Sequence, residues 1–187
     1  MSDLTGISVP GRSCEGCAMC CMIMSIKALN KPKSVWCQHC STKKSCDIYE
    51  ERPGECRNFF CGYLSFPELG EEWKPSRSKI VLAGEMEGRR ITAYVDPNRP
   101  DAWKKEPFYS TLKKWAKAAA PRGGQVVVCV DEHMFMIFPD RDVDLGLVSA
   151  DHRIITGVRQ TPAGAQLDAV VVHKDDPRAQ NFVGTKK

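Results

Sequence analysis

The chain has 187 residues, 42% of them hydrophobic, and a formal net charge of +4. That length builds one ordinary core with a small annex, or two small domains. Lys and Arg are dispersed among 23 acids, which argues against a dedicated nucleic-acid binder, and no apolar run approaches the ~18–20 residues that span a bilayer, which argues against a membrane partner.

Residues 1–12 contain no basic stretch followed by an apolar one, so no secretory signal is expected and the chain reads as cytoplasmic. Thiols stay reduced in that compartment, where clustered cysteines favour metal over disulfides; the competing disulfide reading requires a secreted form. Residues 1–66 hold nine of the ten cysteines and little periodicity, and read as an irregular cysteine-rich metal-binding domain. Within it Met22-Ile23-Met24-Ser25-Ile26 fits helix or strand equally, and Asn30-Lys31-Pro32-Lys33 breaks the run. Asp47 is expected to cap a short helical turn over residues 48–51, which Pro53 ends. A second short helix is expected over residues 55–60, closed by Gly62 in the left-handed conformation. Residues 66–75 read as a connector bounded by Pro67 and Pro75.

Residues 76–174 read as an α+β domain with a mainly antiparallel sheet and one main helix. A hairpin is predicted from residues 79–83 and 90–95, turning at Glu87-Gly88. Pro107 opens a helix whose Phe108, Leu112, Trp115 and Ala119 recur at helical spacing, and Arg122-Gly123-Gly124 ends it. Strands are predicted at 125–130 and 134–138, with a turn at Asp131-Glu132-His133, and further strands at 153–159 and 166–173. Residues 175–187 read as a flexible tail.

The chemistry is concentrated in the cysteines. Two cysteines separated by two residues reach one ion from a tight turn, and Cys14/Cys17, Cys17/Cys20 and Cys37/Cys40 have that spacing. Cys20 and Cys21 are adjacent, so their side chains diverge and serve two metals, or one of them is spare. Nine thiols supply two four-cysteine sites with one left over; a single site with spare thiols is the more modest count. The same run admits iron, because Cys14, Cys17 and Cys20 reproduce three cysteines of a bacterial ferredoxin motif. Thiolate content alone does not choose between zinc and iron. Arg12, Lys27, Lys43, Lys44, Arg52 and Arg57 surround the cluster in sequence and are candidates to balance its negative charge, Arg52 and Arg57 foremost.

Other candidates have simpler explanations. His39 suits an outer position beside the ligands, and His133, His152 and His173 lack ligand-type neighbours. Asp140, Asp142 and Asp144 before Gly146 superficially resemble a calcium loop, but Leu145 and Asp151 occupy the positions where one needs Gly and Glu; the segment reads as a polar turn. Cys129 lies in an apolar run and reads as a small buried side chain.

Two motifs in order carry a family resemblance. The run Cys14-x-x-Cys17-x-x-Cys20-Cys21, then Cys40, then Cys46-Asp47-Ile48-Tyr49-Glu50-Glu51-Arg52-Pro53-Gly54-Glu55-Cys56-Arg57, resembles the CxxCxxCC family of zinc- or iron-chelating, YkgJ-like cysteine-cluster proteins. The likeness covers about the first 60 residues. It implies a metal held by Cys14, Cys17, Cys20, Cys21, Cys40, Cys46 and Cys56. Cys37 and Cys61 join the candidate ligands through proximity and spacing alone. A flagellin lysine N-methylase is among the relatives with such a cluster, but no glycine-rich nucleotide loop here supports that activity. The expectation is a metal-ion-binding protein, with zinc or iron in a structural or storage role and no catalytic residue assigned. The alternatives are an iron–sulfur redox protein or enzyme, and a zinc-stabilised module that binds protein or RNA.

Overall fold

The computed structural model describes residues 8–41, 43, 45–162 and 164–180. Of the expected tail, residues 181–187 lie outside this range, as does Lys44. A five-stranded sheet forms the centre: β1 (Ile80–Glu85), β2 (Arg90–Val95), β3 (Gln125–Val130), β4 (His133–Ile137) and β5 (Asp142–Leu147), side by side in chain order. All pairs are antiparallel except β2 with β3. A parallel pair needs a crossover, and helix α5 (Phe108–Ala119) lies within it, whereas the short α4 (Pro75–Ser78) leads into β1. The architecture is the expected α+β, with a mainly antiparallel sheet and one main helix.

The sheet is covered on both faces because its strands alternate. Ile80, Leu82, Ala93, Val95, Val126 and Val128 pack against one another and against Leu112 and Ala116 of α5. Val127 and Met136 face the other way, onto Ile154 and Ala169 of a separate two-stranded ribbon, β6 (His152–Thr161) and β7 (Gly164–His173). The hairpin between β1 and β2 turns through Met86, Glu87 and Gly88, all at positive φ. His133, expected in a turn, begins β4.

The aspartate segment expected to be a polar turn is instead strand β5. Its Val143 and Leu145 pack beneath the ribbon. Asp142 pairs with the Lys113 ammonium at 2.7 Å and accepts a hydrogen bond from Tyr109 Oη at 2.9 Å, fastening the strand to α5. Asp disfavours strands and masks the alternation of Val143, Leu145 and Leu147; these partners on α5 supply what the local sequence lacks.

The cysteine-rich segment grips β1, an edge of the sheet, from both sides. Met19, Met22 and Ile23 of α1 (Met19–Ile23) pack on Val81. Tyr63 and Leu64 of α3 (Gly62–Ser65) join the core containing Ile80 and Leu82. An exposed edge strand offers unpaired backbone groups to other chains, and this wrapping covers it. The expected connector is likewise part of the core: Trp73 is 2% exposed and packs edge-on to Phe108 at 4.8 Å. Arg12 fastens this region, its guanidinium donating to the carbonyls of Tyr63 at 2.6 Å and Phe66 at 2.8 Å, and to that of Leu69.

Local expectations within the lobe are corrected in three places. Residues 48–51 form turns rather than a helix, and Asp47 accepts hydrogen bonds from Ser41 N and Oγ instead of capping. The second short helix is α2 (Gly54–Arg57), ending before Phe60. Gly62 starts α3 instead of closing a helix. It is small for another reason: a Cβ there would lie 2.7 Å from Leu82 Cβ. Replacing Gly62 with Ala therefore forces α3 away from β1 and is expected to cost about 1–3 kcal/mol. Urea unfolding measures this, and an unchanged midpoint would refute the close approach.

Candidate metal centre

Local backbone geometry presents the cysteines. The Cys17 amide donates to the Cys14 carbonyl at 2.9 Å, closing a turn in which Gly16 has φ +66°. Only glycine adopts that conformation at little cost. Cys20 and Cys21 sit side by side on α1. The Cys37 amide donates to the Cys21 carbonyl at 3.0 Å, and the Cys40 amide to the Cys37 carbonyl at 3.1 Å. A second tight turn is thereby docked onto the first. Cys56 lies on α2, and Cys61 is the residue before α3.

Seven of the nine clustered cysteines border one cavity of about 580 Å³: Cys14, Cys17, Cys20, Cys21, Cys37, Cys46 and Cys56. A second cavity of about 30 Å³ is bordered by Cys14, Cys17, Cys20 and Cys61. Cys40 borders neither of these two cavities. It is 3% exposed and hydrogen-bonds to the Cys21 thiol. All ten cysteines are free thiols. Cys129 stands apart in β3, 1% exposed, its Sγ donating to the Asp131 carbonyl at 2.9 Å.

The thiols are far from equivalent. Hydrogen bonding from Cys20, and then from Cys40, with Lys31 and Arg52 nearby, overcomes burial and lowers Cys21 to about 7. Cys20 is pushed well up because it donates to Cys21 and is buried. Burial, reinforced by the Cys21 charge, raises Cys40 to about 11. Burial also raises Cys61 to about 11, with Cys14 and Cys17 adding repulsion. Cys46 and Cys56 are raised by burial first, with Cys21 and Cys37 as the repelling neighbours they share.

Among the cations expected from sequence, Arg52 borders the large cavity and stacks on Tyr49, its guanidinium carbon 3.7 Å from the ring centre. Its Nε is buried without a hydrogen-bond partner among the described residues. Arg57 borders the same cavity from an exposed position. Arg12 is occupied by backbone carbonyls, Lys27 is exposed, and Lys43 lies over Trp36 at 5.8 Å. The most buried cation among the described residues lies in the Asn30-Lys31-Pro32-Lys33 break. Lys31 is 7% exposed, its Nζ donating to the Met22 carbonyl at 2.9 Å and to that of Met24. Burial lowers its pKa, while Cys21, Cys37, Cys20 and Cys56 act to keep it charged. Only its position between an apolar run and proline hinted at a constrained site.

His39 borders the large cavity, its Nε2 3.2 Å from Gln38 Nε2. His133 pairs with Asp144 at 2.6 Å, and His152 and His173 lie edge-to-face on the ribbon at 6.3 Å. The donor set around the cavities fits a soft or borderline ion: several thiols, no disulfide among them, and cations to offset thiolate charge. Among the described residues no three His, Cys, Asp or Glu side chains already converge as a metal-binding group; the thiols border the space without closing on it.

No protein-family model, curated protein or solved structure matches the chain. Among the described residues no helix is long and apolar enough to cross a membrane.

The electrostatics predict an order of reaction among thiols of the metal-free protein. Alkylation requires thiolate, and a lowered pKa makes thiolate dominant above about 7 at Cys21, whereas Cys40 and Cys61 stay protonated to about 11. Iodoacetamide should label Cys21 ahead of Cys40 and Cys61 near neutrality, with Lys31→Met moving the midpoint up by about one pH unit. Peptide mass spectrometry across pH reads this, and uniform labelling of the cluster would contradict it.

Proposed function

We propose that this chain is a metal-ion-binding protein that holds zinc or iron through its N-terminal cysteine cluster. The observation carrying this reading is the large cavity bordered by seven thiols from three separate stretches of chain. Thiols so close repel one another when ionised, and a bound cation relieves that repulsion as it draws the sulfurs together. The likeness of the two cysteine motifs to the CxxCxxCC family points the same way.

The residues that would hold the ion are drawn from Cys14, Cys17, Cys20, Cys21, Cys37, Cys46, Cys56 and Cys61, with Cys40 hydrogen-bonded behind Cys21. Four thiolates saturate a tetrahedral ion and leave it no open position, so the metal's role is structural or storage. Lys31 and Arg52 offset the negative charge of the thiolates. Free thiols in this number suit a reducing compartment, which makes the cytoplasm the proposed location. One observation favours a second reading: a cavity of about 580 Å³ is larger than a single ion fills, and an iron–sulfur cluster would use more of it.

Elemental analysis with an absorption spectrum, on protein purified without oxygen, tests both. The expected result is zinc or iron in at least stoichiometric amount, removed by chelators at low pH as the thiolates protonate. Zinc without a visible band discards the iron–sulfur reading; a brown protein containing iron and sulfide favours it. Metal-free protein with all thiols titratable, unable to take up either ion, would sink the metal-binding function.

A further inference from the structure

The clustered thiols differ in the space they border: Cys14, Cys17 and Cys20 line both cavities and Cys61 only the small one. Cys14, Cys17, Cys20 and Cys61 surround the small cavity. Of the remaining five, Cys21, Cys37, Cys46 and Cys56 border the large cavity and are absent from the small one. The division falls between the adjacent residues Cys20 and Cys21 of α1, whose hydrogen-bonded thiols stand at the junction of the two sets. Backbone contacts follow the same division. The Cys17 amide bonds within the first set to Cys14, and the Cys37 amide bonds within the second to Cys21.

We infer that the cluster is two metal sites meeting at α1, one built by Cys14, Cys17, Cys20 and Cys61 and the other by Cys21, Cys37, Cys46 and Cys56. This rests on the metal-binding reading above and adds membership and number to it. The first site takes a single ion. Its cavity of about 30 Å³ equals the room of about one water in the liquid, too little for an iron–sulfur cluster. The second borders a space of about 580 Å³ and is the one with room for more than an ion. Cys40, the ninth thiol, is outside both sets. Cys61 thus becomes a full ligand, although it lies outside the seven cysteines of the motif likeness. Loading each site with one divalent ion releases up to four thiol protons and leaves four thiolates on the ion, so uptake weakens as pH falls.

Zinc uptake by the full chain tests this. Metal-free wild-type protein, reduced and kept from oxygen, should bind two equivalents. Cys61→Ser and Cys46→Ser should each bind one, and Cys40→Ser should retain two. Because a variant can fail to fold, the wild-type protein supplies an independent measurement. Loaded with one equivalent of zinc and alkylated, it should show protection by sets, with Cys14, Cys17, Cys20 and Cys61 protected together and the other four together. Two equivalents retained by Cys61→Ser, loss of all zinc from either Cys61→Ser or Cys46→Ser, or protection that mixes the sets would overturn the division while leaving metal binding intact. Wild-type protein that takes up no zinc or iron removes the metal-binding reading itself, and the division with it.

Discussion

Nine thiols confined to one small lobe cannot all ionise without a compensating charge, and the organisation of the lobe follows from that constraint. Adjacent thiolates repel, and burial penalises each one further. The fold answers locally by letting Cys20 and Cys40 hydrogen-bond to Cys21, concentrating negative charge at one sulfur. It answers again with Lys31, a buried ammonium tied to the carbonyls of Met22 and Met24 at the end of α1. A buried lysine is costly in isolation, and here the carbonyls and neighbouring sulfurs satisfy it.

The lobe has little apolar substance of its own. One of its clusters consists of Ala18 and Ile26 with Cys37 and Cys40 as the other buried members. Its rigidity is borrowed from the sheet. Helix α1 leans on Val81 and α3 on the core around Leu82, so successive residues of β1 anchor opposite sides of the cysteine segment. Arg12 adds a polar clamp by gathering carbonyls from Tyr63 to Leu69. Cys14 and Cys61, far apart in sequence, meet because the chain passes around one strand between them.

Much of the sheet was legible in advance because its signals are local. The β1–β2 hairpin, β3 and α5 follow from apolar periodicity and from glycines at turns. Strand β5 was not legible, since Asp142 and Asp144 read as a turn until Lys113, Tyr109 and His133 supply partners. Gly62 was visible as a constraint but for the wrong reason. Its smallness serves contact with Leu82 rather than a left-handed backbone. Leu69 and Trp73 looked like connector residues because prolines flank them, yet both are buried in the main core.

By itself the sequence determined which residues are candidates for metal chemistry and how close neighbours along the chain must lie. The spacing of Cys14 and Cys17 and of Cys37 and Cys40 makes tight turns, whereas Cys20 and Cys21, expected to diverge, hydrogen-bond through their thiols. Only the tertiary structure decided that Cys61 joins Cys14, Cys17 and Cys20, that Cys40 stands behind Cys21, and that Lys31 is the buried cation. Spacing controls geometry within a turn or two of chain. Which turns face one another depends on what each buries, and that is set by the two faces of β1.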